Sequence, residues 1–366
     1  MSDMLVNFRE TAASNGKIIA IAELNAPKSL NAISLPMVNQ LYHQLNVWKD
    51  DSEIALVVIE GTGDKAFCAG GDVVSLYHDL KSREFPISDI DIEQTLAYEF
   101  FNQEYQLDQL IHNYPKPILA WANGYVMGGG IGLVAGASHK VTTENTTFAM
   151  PEVTIGLYPD VGASYFLNQM PDQIGLFLGI TGATFNASDA SKLGLSDHFI
   201  EHSKKASLMS ELKKIDWGNN PEINEQLLSN FLDEQSKSSN VKLPTSLIEE
   251  HKAEIASCFE STNINDIVDS ILAMETDSSW FNKVKDKLSA GSPLSVAITH
   301  RLLNENKGLS LAECFEVEGR LSKRCSQFTE FNEGVRALLV DKDRTPNWTY
   351  KSLNQIDPKR LDWFFS

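Results

Sequence analysis

An α/β fold is what this sequence predicts, on three observations. Ile54 to Glu60 (IALVVIE) is an unbroken β-branched and apolar run of the kind that fills a strand buried on both faces. Lys17 to Leu24 and Pro117 to Trp121 are further strand patterns, and helical stretches alternate with strands through the first 200 residues. From about Glu201 the strand patterns fade and charge rises. The chain therefore divides into residues 1–200, a strand-bearing core, and 201–366, a mostly helical region.

Taken in order, Lys17 to Leu24 leads through the turn Asn25-Ala26-Pro27 into a helix that Ser34 would cap, with Pro36 in its first turn. Ile54 to Glu60 runs into the glycine-rich loop from Gly61 to Asp72, and a second helix comes after it. Residues 91–113 read as one helix, with Leu96, Phe100, Leu107, Leu110 and Ile111 on its apolar face. After Pro117 to Trp121 the run Gly128-Gly129-Gly130 opens a helix over Ile131 to Ala137. Gly128, Gly132 and Gly136 would form one bare face of it. Short strands are expected at Val141–Thr143 and Thr147–Ala149, and helices at Asp160–Met170 and Gln173–Ile180. A Ser-rich patch comes next at Ser236–Asn240, and Ser292–Val340 returns to helix.

The formal net charge of -18 over 366 residues argues against a nucleic-acid or anionic-membrane binder, because such partners are held largely by Lys and Arg. An anionic small molecule stays open where a site is locally basic. Met1 to Glu10 lacks the apolar core of a secretory signal and the Arg-rich character of a transit peptide, so a cytoplasmic protein is expected. Cys68, Cys258, Cys314 and Cys325 show no metal-binding spacing and read as buried, reduced thiols. No apolar run is long enough to span a bilayer.

Three places in the chain concentrate chemistry. Gly61-x-Gly63-x-x-Ala66 after a buried strand matches a dinucleotide fingerprint, but the helix that should begin inside it is postponed to about Asp72. The loops at Gly70-Gly71 and Gly128-Gly129-Gly130 would suit two backbone N–H groups forming an oxyanion hole, although tight turns explain the spacing at least as well. Glu152 and Asp160 flank the apolar segment from Val153 to Tyr158. Burial there would raise their pKa values and fit them for proton transfer. Glu104, on the 91–113 helix, is a weaker candidate. There is no Gly-x-Ser-x-Gly elbow, and Cys68 lacks a His partner for nucleophilic work.

The residues Lys28-Ser29-Leu30-Asn31-Ala32, Ala66-Phe67-Cys68-Ala69-Gly70-Gly71-Asp72, Asn123-Gly124-Tyr125-Val126-Met127-Gly128-Gly129-Gly130 and Phe148-Ala149-Met150-Pro151-Glu152 resemble, in this order, the motifs of the enoyl-CoA hydratase/isomerase (crotonase) superfamily. The resemblance covers residues 5–200 and returns at Phe331–Ala337 and Pro346-Asn347-Trp348. It implies a crotonase-like spiral of ββα units with an extended helical C-terminal region. Residues 1–200 would form the acyl-CoA-binding and catalytic core, with the thioester oxygen held by the N–H groups of Gly71 and Gly129. Ala69 would lie along the adenine end of CoA, with Lys28 and Lys65 contributing positive charge. No metal or nicotinamide cofactor is implied, CoA being part of the substrate. A homo-oligomer stays open.

One departure carries information. Hydratases of the superfamily use two glutamates, one of them three residues after the middle glycine, and here that position is Gly132. Asp160, in Tyr158-Pro159-Asp160-Val161-Gly162, stands where a hydratase has glycine. This combination resembles the branch that hydrolyses 3-hydroxyisobutyryl-CoA in valine degradation. In that branch Glu104, Gly129, Glu152 and Asp160 match the substrate and catalytic positions. An isomerase or divergent hydratase acting on another short acyl-CoA, and a non-catalytic acyl-CoA-binding protein, are the alternatives.

Overall fold

The longest apolar strand sets the architecture. In the computed structural model, which describes residues 4–366, β3 (Ile54–Gly61) is buried at every position and lies inside a six-stranded sheet. Its neighbours are β2 (Ile18–Leu24) and β5 (Ile118–Ala122), both parallel to it, with Val58 opposite Ile21 on one side and Leu119 on the other. β7 (His139–Thr142) and β10 (His198–Phe199) continue the parallel order. The far edge is β1 (Val6–Ala12), antiparallel to β2, a strand whose mixed polar pattern hides it within the N-terminal sequence.

A second sheet is built from shorter strands, in the order β4 (Ala66–Cys68), β6 (Tyr125–Met127), β8 (Thr147–Ala149) and β9 (Phe185–Asn186). The chain thus alternates one strand in the large sheet, one in the small sheet, then helix. β3 and β4 lead to α2 (Val73–Leu80), and β5 and β6 lead to a short helix at Gly129–Ala135. This repeat is the ββα spiral that the resemblance implied.

The chain folds into two compact units that interleave in sequence. The first comprises the residues up to Gly71 with 106–148 and 185–246, and the second 72–105, 149–184 and 247–366. In the first, Leu56, Val58, Leu119, Trp121 and Val141 on the large sheet pack with Leu208, Leu212, Trp217, Leu228 and Leu232. These helical residues belong to or flank Lys205–Leu212 and Pro221–Lys237. In the second unit the helix Ile174–Thr181 packs Phe177 against Trp280 and Phe281, with ring centroids 6.0 and 6.1 Å apart.

Local differences from expectation have local causes. The helix α1 (Leu35–Asp50) starts at Ser34 as expected, but the Ser34 hydroxyl accepts no capping bond. The 91–113 stretch is two helices, α3 (Asp89–Ile92) and α4 (Leu96–His112), because Thr95 Oγ1 accepts the Tyr98 N–H at 3.2 Å and restarts the helix. Helix at Asp160–Met170 begins only at Ala163, since Val161 and Gly162 both have positive φ. The short helix after the glycine run is α5 (Gly129–Ala135). The glycines that permit close approach there are Gly130, whose Cβ would lie 2.5 Å from the Cys68 carbonyl oxygen, and Gly136, against His112. All four cysteines are buried, and none forms a disulfide. Among the described residues no helix is long and apolar enough to cross a membrane.

Candidate active site

The two glycine loops leave the C-terminal ends of neighbouring parallel strands. β4 and β6 pair with Ala66 opposite Tyr125 and Cys68 opposite Val126, so the chain emerges side by side at Gly70-Gly71 and at Gly128-Gly129. Gly70 has φ +104°, and a Cβ there would sit 3.4 Å from the Met127 carbonyl oxygen. Gly71 bridges to Ile33, and Gly129 is the buried first residue of α5, where helix N–H groups have no intrahelical acceptor. The backbone donors foreseen at Gly71 and Gly129 are therefore neighbours.

Around this pair the structure gathers the residues expected along CoA. The turn holding Lys28 is tied to the Ala69 loop by the Ala69 N–H donating to the Leu30 carbonyl at 3.1 Å and the Ile33 N–H to that of Gly70 at 2.8 Å. Asn31, buried, donates to the carbonyls of Thr62 and Ala66 at 3.0 and 2.9 Å and accepts the Ala26 N–H at 3.0 Å. The cleft between these segments, about 370 Å³, is lined by Pro27, Leu30, Thr62, Gly63 and Lys65 among others. Lys28 and Lys65 are both exposed. The dinucleotide pattern at Gly61 and Gly63 is a strand-to-strand turn. A Cβ on Gly61 would meet the Phe67 carbonyl oxygen at 2.5 Å, and the next element is β4, not a helix facing a pyrophosphate.

The carboxylates lie in the second unit. Glu152 opens a short 3-10 turn (Glu152–Ile155) and is 5% exposed, and its Oε2 accepts no hydrogen bond among the described residues. Val153, Leu157 and Tyr158 around it are buried, as the apolar segment predicted. Burial, and then the charge of Asp160, hold the Glu152 carboxyl well above its ordinary range. Asp160, 4% exposed, accepts a hydrogen bond from Tyr105 Oη on its Oδ2 at 2.7 Å. Burial pushes its pKa up, and the Tyr105 bond opposes the rise. Glu104 is also buried, at 2% exposure, on α4 beside Tyr105. Gly132, the position without an acid, is buried in α5.

Sequence reasoning missed Tyr105, Tyr158, Ser164 and Glu318. The Glu318 carboxylate, on the helix Leu311–Gln327, accepts the Gly162 N–H at 2.7 Å and the Ser164 N–H and hydroxyl at 2.9 and 2.5 Å. Its carbonyl accepts the Tyr158 hydroxyl at 2.5 Å, while Asn306 Nδ2 donates to Ser164 Oγ at 2.9 Å. Between Asp160 and these anchors stands Val161 at φ +56°, a β-branched residue in the left-handed region, which costs roughly 1–3 kcal/mol. Tyr105 was one residue from a candidate already chosen. Nothing in the sequence joins Glu318 to residues more than 150 positions earlier.

Comparison with known proteins places the chain. A family model described as enoyl-CoA hydratase/isomerase matches residues 19–365. The 3-hydroxyisobutyryl-CoA hydrolase, mitochondrial, of Xenopus tropicalis is 36% identical over 366 residues, covering 100% of this chain and 91% of the relative. The Homo sapiens protein of the same name is 36% identical over 346 residues, covering 94% and 85%. Among solved structures, an enoyl-CoA hydratase from Rhodobacter sphaeroides superposes with a TM-score of 0.82 at 28% identity, over 99% of this chain and 97% of the other. A carnitinyl-CoA dehydratase from Mycobacterium thermoresistibile gives 0.83 at 28% identity, over 100% and 97%.

The expected cytoplasmic location is corrected by these relatives, whose names are mitochondrial. The composition of the first ten residues was a poor guide, because Val6 to Glu10 lie in β1 and their pattern is that of a strand of the fold. Matched over residues 19–365 and folded as a ββα spiral, the chain belongs to the enoyl-CoA hydratase/isomerase family.

Proposed function

We propose that the protein hydrolyses the thioester of 3-hydroxyisobutyryl-CoA, or of a similar short 3-hydroxyacyl-CoA, to the free acid and CoA. The observation that carries this reading is the buried pair Glu152 and Asp160, with Glu152 Oε2 accepting no bond among the described residues, together with glycine at position 132. Adding water across a double bond with two glutamates needs an acid at that position. Cleaving a thioester needs one well-placed carboxylate and oxyanion donors, because CoA thiolate is a good leaving group. The names of the curated relatives agree with this reading.

In this mechanism the N–H groups of Gly71 and Gly129 hold the thioester oxygen and stabilise its developing charge. Glu152 acts in one of two ways. It attacks the carbonyl carbon, expels CoA thiolate and leaves an acyl–glutamyl anhydride that water cleaves to acid and carboxylate. Otherwise it takes a proton from water, hydroxide adds to the carbonyl, the C–S bond breaks, and the proton passes to the thiolate. Asp160 orients the substrate hydroxyl or the water and assists proton transfer, and Glu104 contributes to substrate binding. Ala69, Lys28 and Lys65 contact CoA. Water is the other reactant.

The test is release of free thiol from 3-hydroxyisobutyryl-CoA. Thiol appearing at catalytic rates supports the hydrolase. Conversion of crotonyl-CoA without thiol release would replace it with the hydratase reading, which the titles of the 28%-identical solved structures favour. Tight CoA binding with neither reaction would leave a binding protein. Labelled oxygen from water found in Glu152 after one turnover marks the anhydride route.

A further inference from the structure

We infer that Glu318 is a positioning residue for Asp160, holding the turn from Val161 to Ser164 in the strained geometry that sets where the Asp160 carboxylate stands. The inference rests on the hydrolase reading, in which Asp160 handles the substrate hydroxyl or water.

The chain around Asp160 does not hold itself. Val161 and Gly162 are both left-handed, at φ +56° and +82°, and a β-branched residue keeps such a backbone only where its surroundings over-determine it. The determinant lies on a distant helix. Both Glu318 oxygens are used: Oε2 accepts the Gly162 N–H, and Oε1 accepts the Ser164 N–H and hydroxyl. The donors begin two residues after Asp160. On the other side, the Tyr158 hydroxyl two residues before Asp160 donates to the Glu318 carbonyl. One residue thus fixes the chain on both flanks of Asp160, while Tyr105 fixes the carboxylate itself through Oδ2. Glu318 is fully buried, and a group made expensive by burial is retained here with its bonds directed at this turn. Phe315, one helical turn earlier, packs against the same segment, since a Cβ on Gly162 would lie 3.1 Å from its ring.

Glu318→Gln keeps the shape but presents an amide N–H₂ to one of the backbone donors. The expected result is a fall in kcat of about tenfold or more with KM for the acyl-CoA within about twofold, in a protein that still melts cooperatively. The decisive measurement is the double variant. If Glu318 acts through Asp160, its substitution should cost little once Asp160→Asn is in place. An equal loss in both backgrounds, an unchanged kcat, or a rise in KM alone overturns the inference. Should Glu318→Gln fail to fold, Ser164→Ala removes one of the three bonds and is read by the same cycle, with about a threefold fall in kcat expected in the Asp160 background and none in the Asn background. Asp160→Asn alone separates the two failures. Wild-type turnover by that variant overturns the role of Asp160, whereas a crippled Asp160→Asn with an additive Glu318 effect overturns only the present inference.

Discussion

Two carboxylates of similar burial have different surroundings, and the proposed mechanism gives them different work. Glu152 has an oxygen with no donor among the described residues, while Asp160 has one oxygen already bound by Tyr105. Glu152→Gln should lower kcat by about 10²- to 10⁴-fold with little change in binding of a CoA thioester, since the loss falls on the transition state. Near-normal turnover would remove Glu152 from the mechanism. Tyr105→Phe tests the second carboxylate. Asp160 also faces Glu152, Tyr158, Glu318 and Cys325, none of them cationic, and the Tyr105 hydroxyl, ahead of a backbone hydrogen bond, favours the charged form and holds the pKa down. Losing that donor raises the Asp160 pKa further, so the acidic limb of the kcat/KM profile should move to higher pH by about one unit. A profile superimposable on wild type would show that Asp160 need not be ionised.

At the scale of elements, the proposed oxyanion donors depend on how closely α5 sits on β4. Gly130 makes that approach possible, and a Cβ there would come within 2.5 Å of the Cys68 backbone oxygen and 2.9 Å of its Cβ. Gly130→Ala should cost about 1–3 kcal/mol in a urea melt, because neither neighbour is the far end of a flexible side chain. It should also reduce kcat, because it forces apart the loops that carry Gly71 and Gly129. A stable variant with full activity would separate the glycine run from the chemistry. The Gly61 loop teaches a related lesson about local pattern. Its spacing fits a dinucleotide turn, yet the element after it is β4, and that single substitution of strand for helix removes the phosphate-binding dipole.

For the molecule as a whole, buried ionisable groups tie stability to pH in opposite directions. His139 and His198 stack 6.2 Å apart in the first unit. Burial and then the charge of His198 lower the His139 pKa to about 4, and burial lowers that of His198. The unfolded chain binds protons at these sites near pH 6.5 and the folded chain does not, so their contribution is complete above pH 6.5 and is lost as pH falls toward 4. Glu318 and Glu330, raised by burial to about 8 and 7, act the other way, and their contribution is lost as pH rises through those values. His139 is held by Ser138 Oγ at 2.9 Å and Ser229 Oγ at 2.8 Å, so His139→Asn can keep part of this polarity. The variant should lose less melting temperature than wild type between about pH 7 and 5, even if it is less stable at neutral pH. Equal acid slopes would contradict the assignment.

Much of this was legible in the chain itself. The apolar run at β3 specifies a buried parallel strand wherever it is placed, and the glycine loops, Glu152, Asp160 and Gly132 lie in short motifs whose meaning is local. The break between α3 and α4 was not legible, because Thr95 competes for a cap only once the chain is folded. Nor was the late start of the helix after Asp160, because Val161 is a poor choice for a left-handed residue and adopts that geometry under constraint from elsewhere. The sequence by itself determined the fold class through its strand patterns and the family through the resemblance of its motifs, since both are properties of neighbours along the chain. Only the tertiary structure decided that Tyr105 caps one oxygen of Asp160 and that Glu318 holds its turn. Hydrogen bonds spanning 55 to 160 residues arise from packing, and no local pattern announces them.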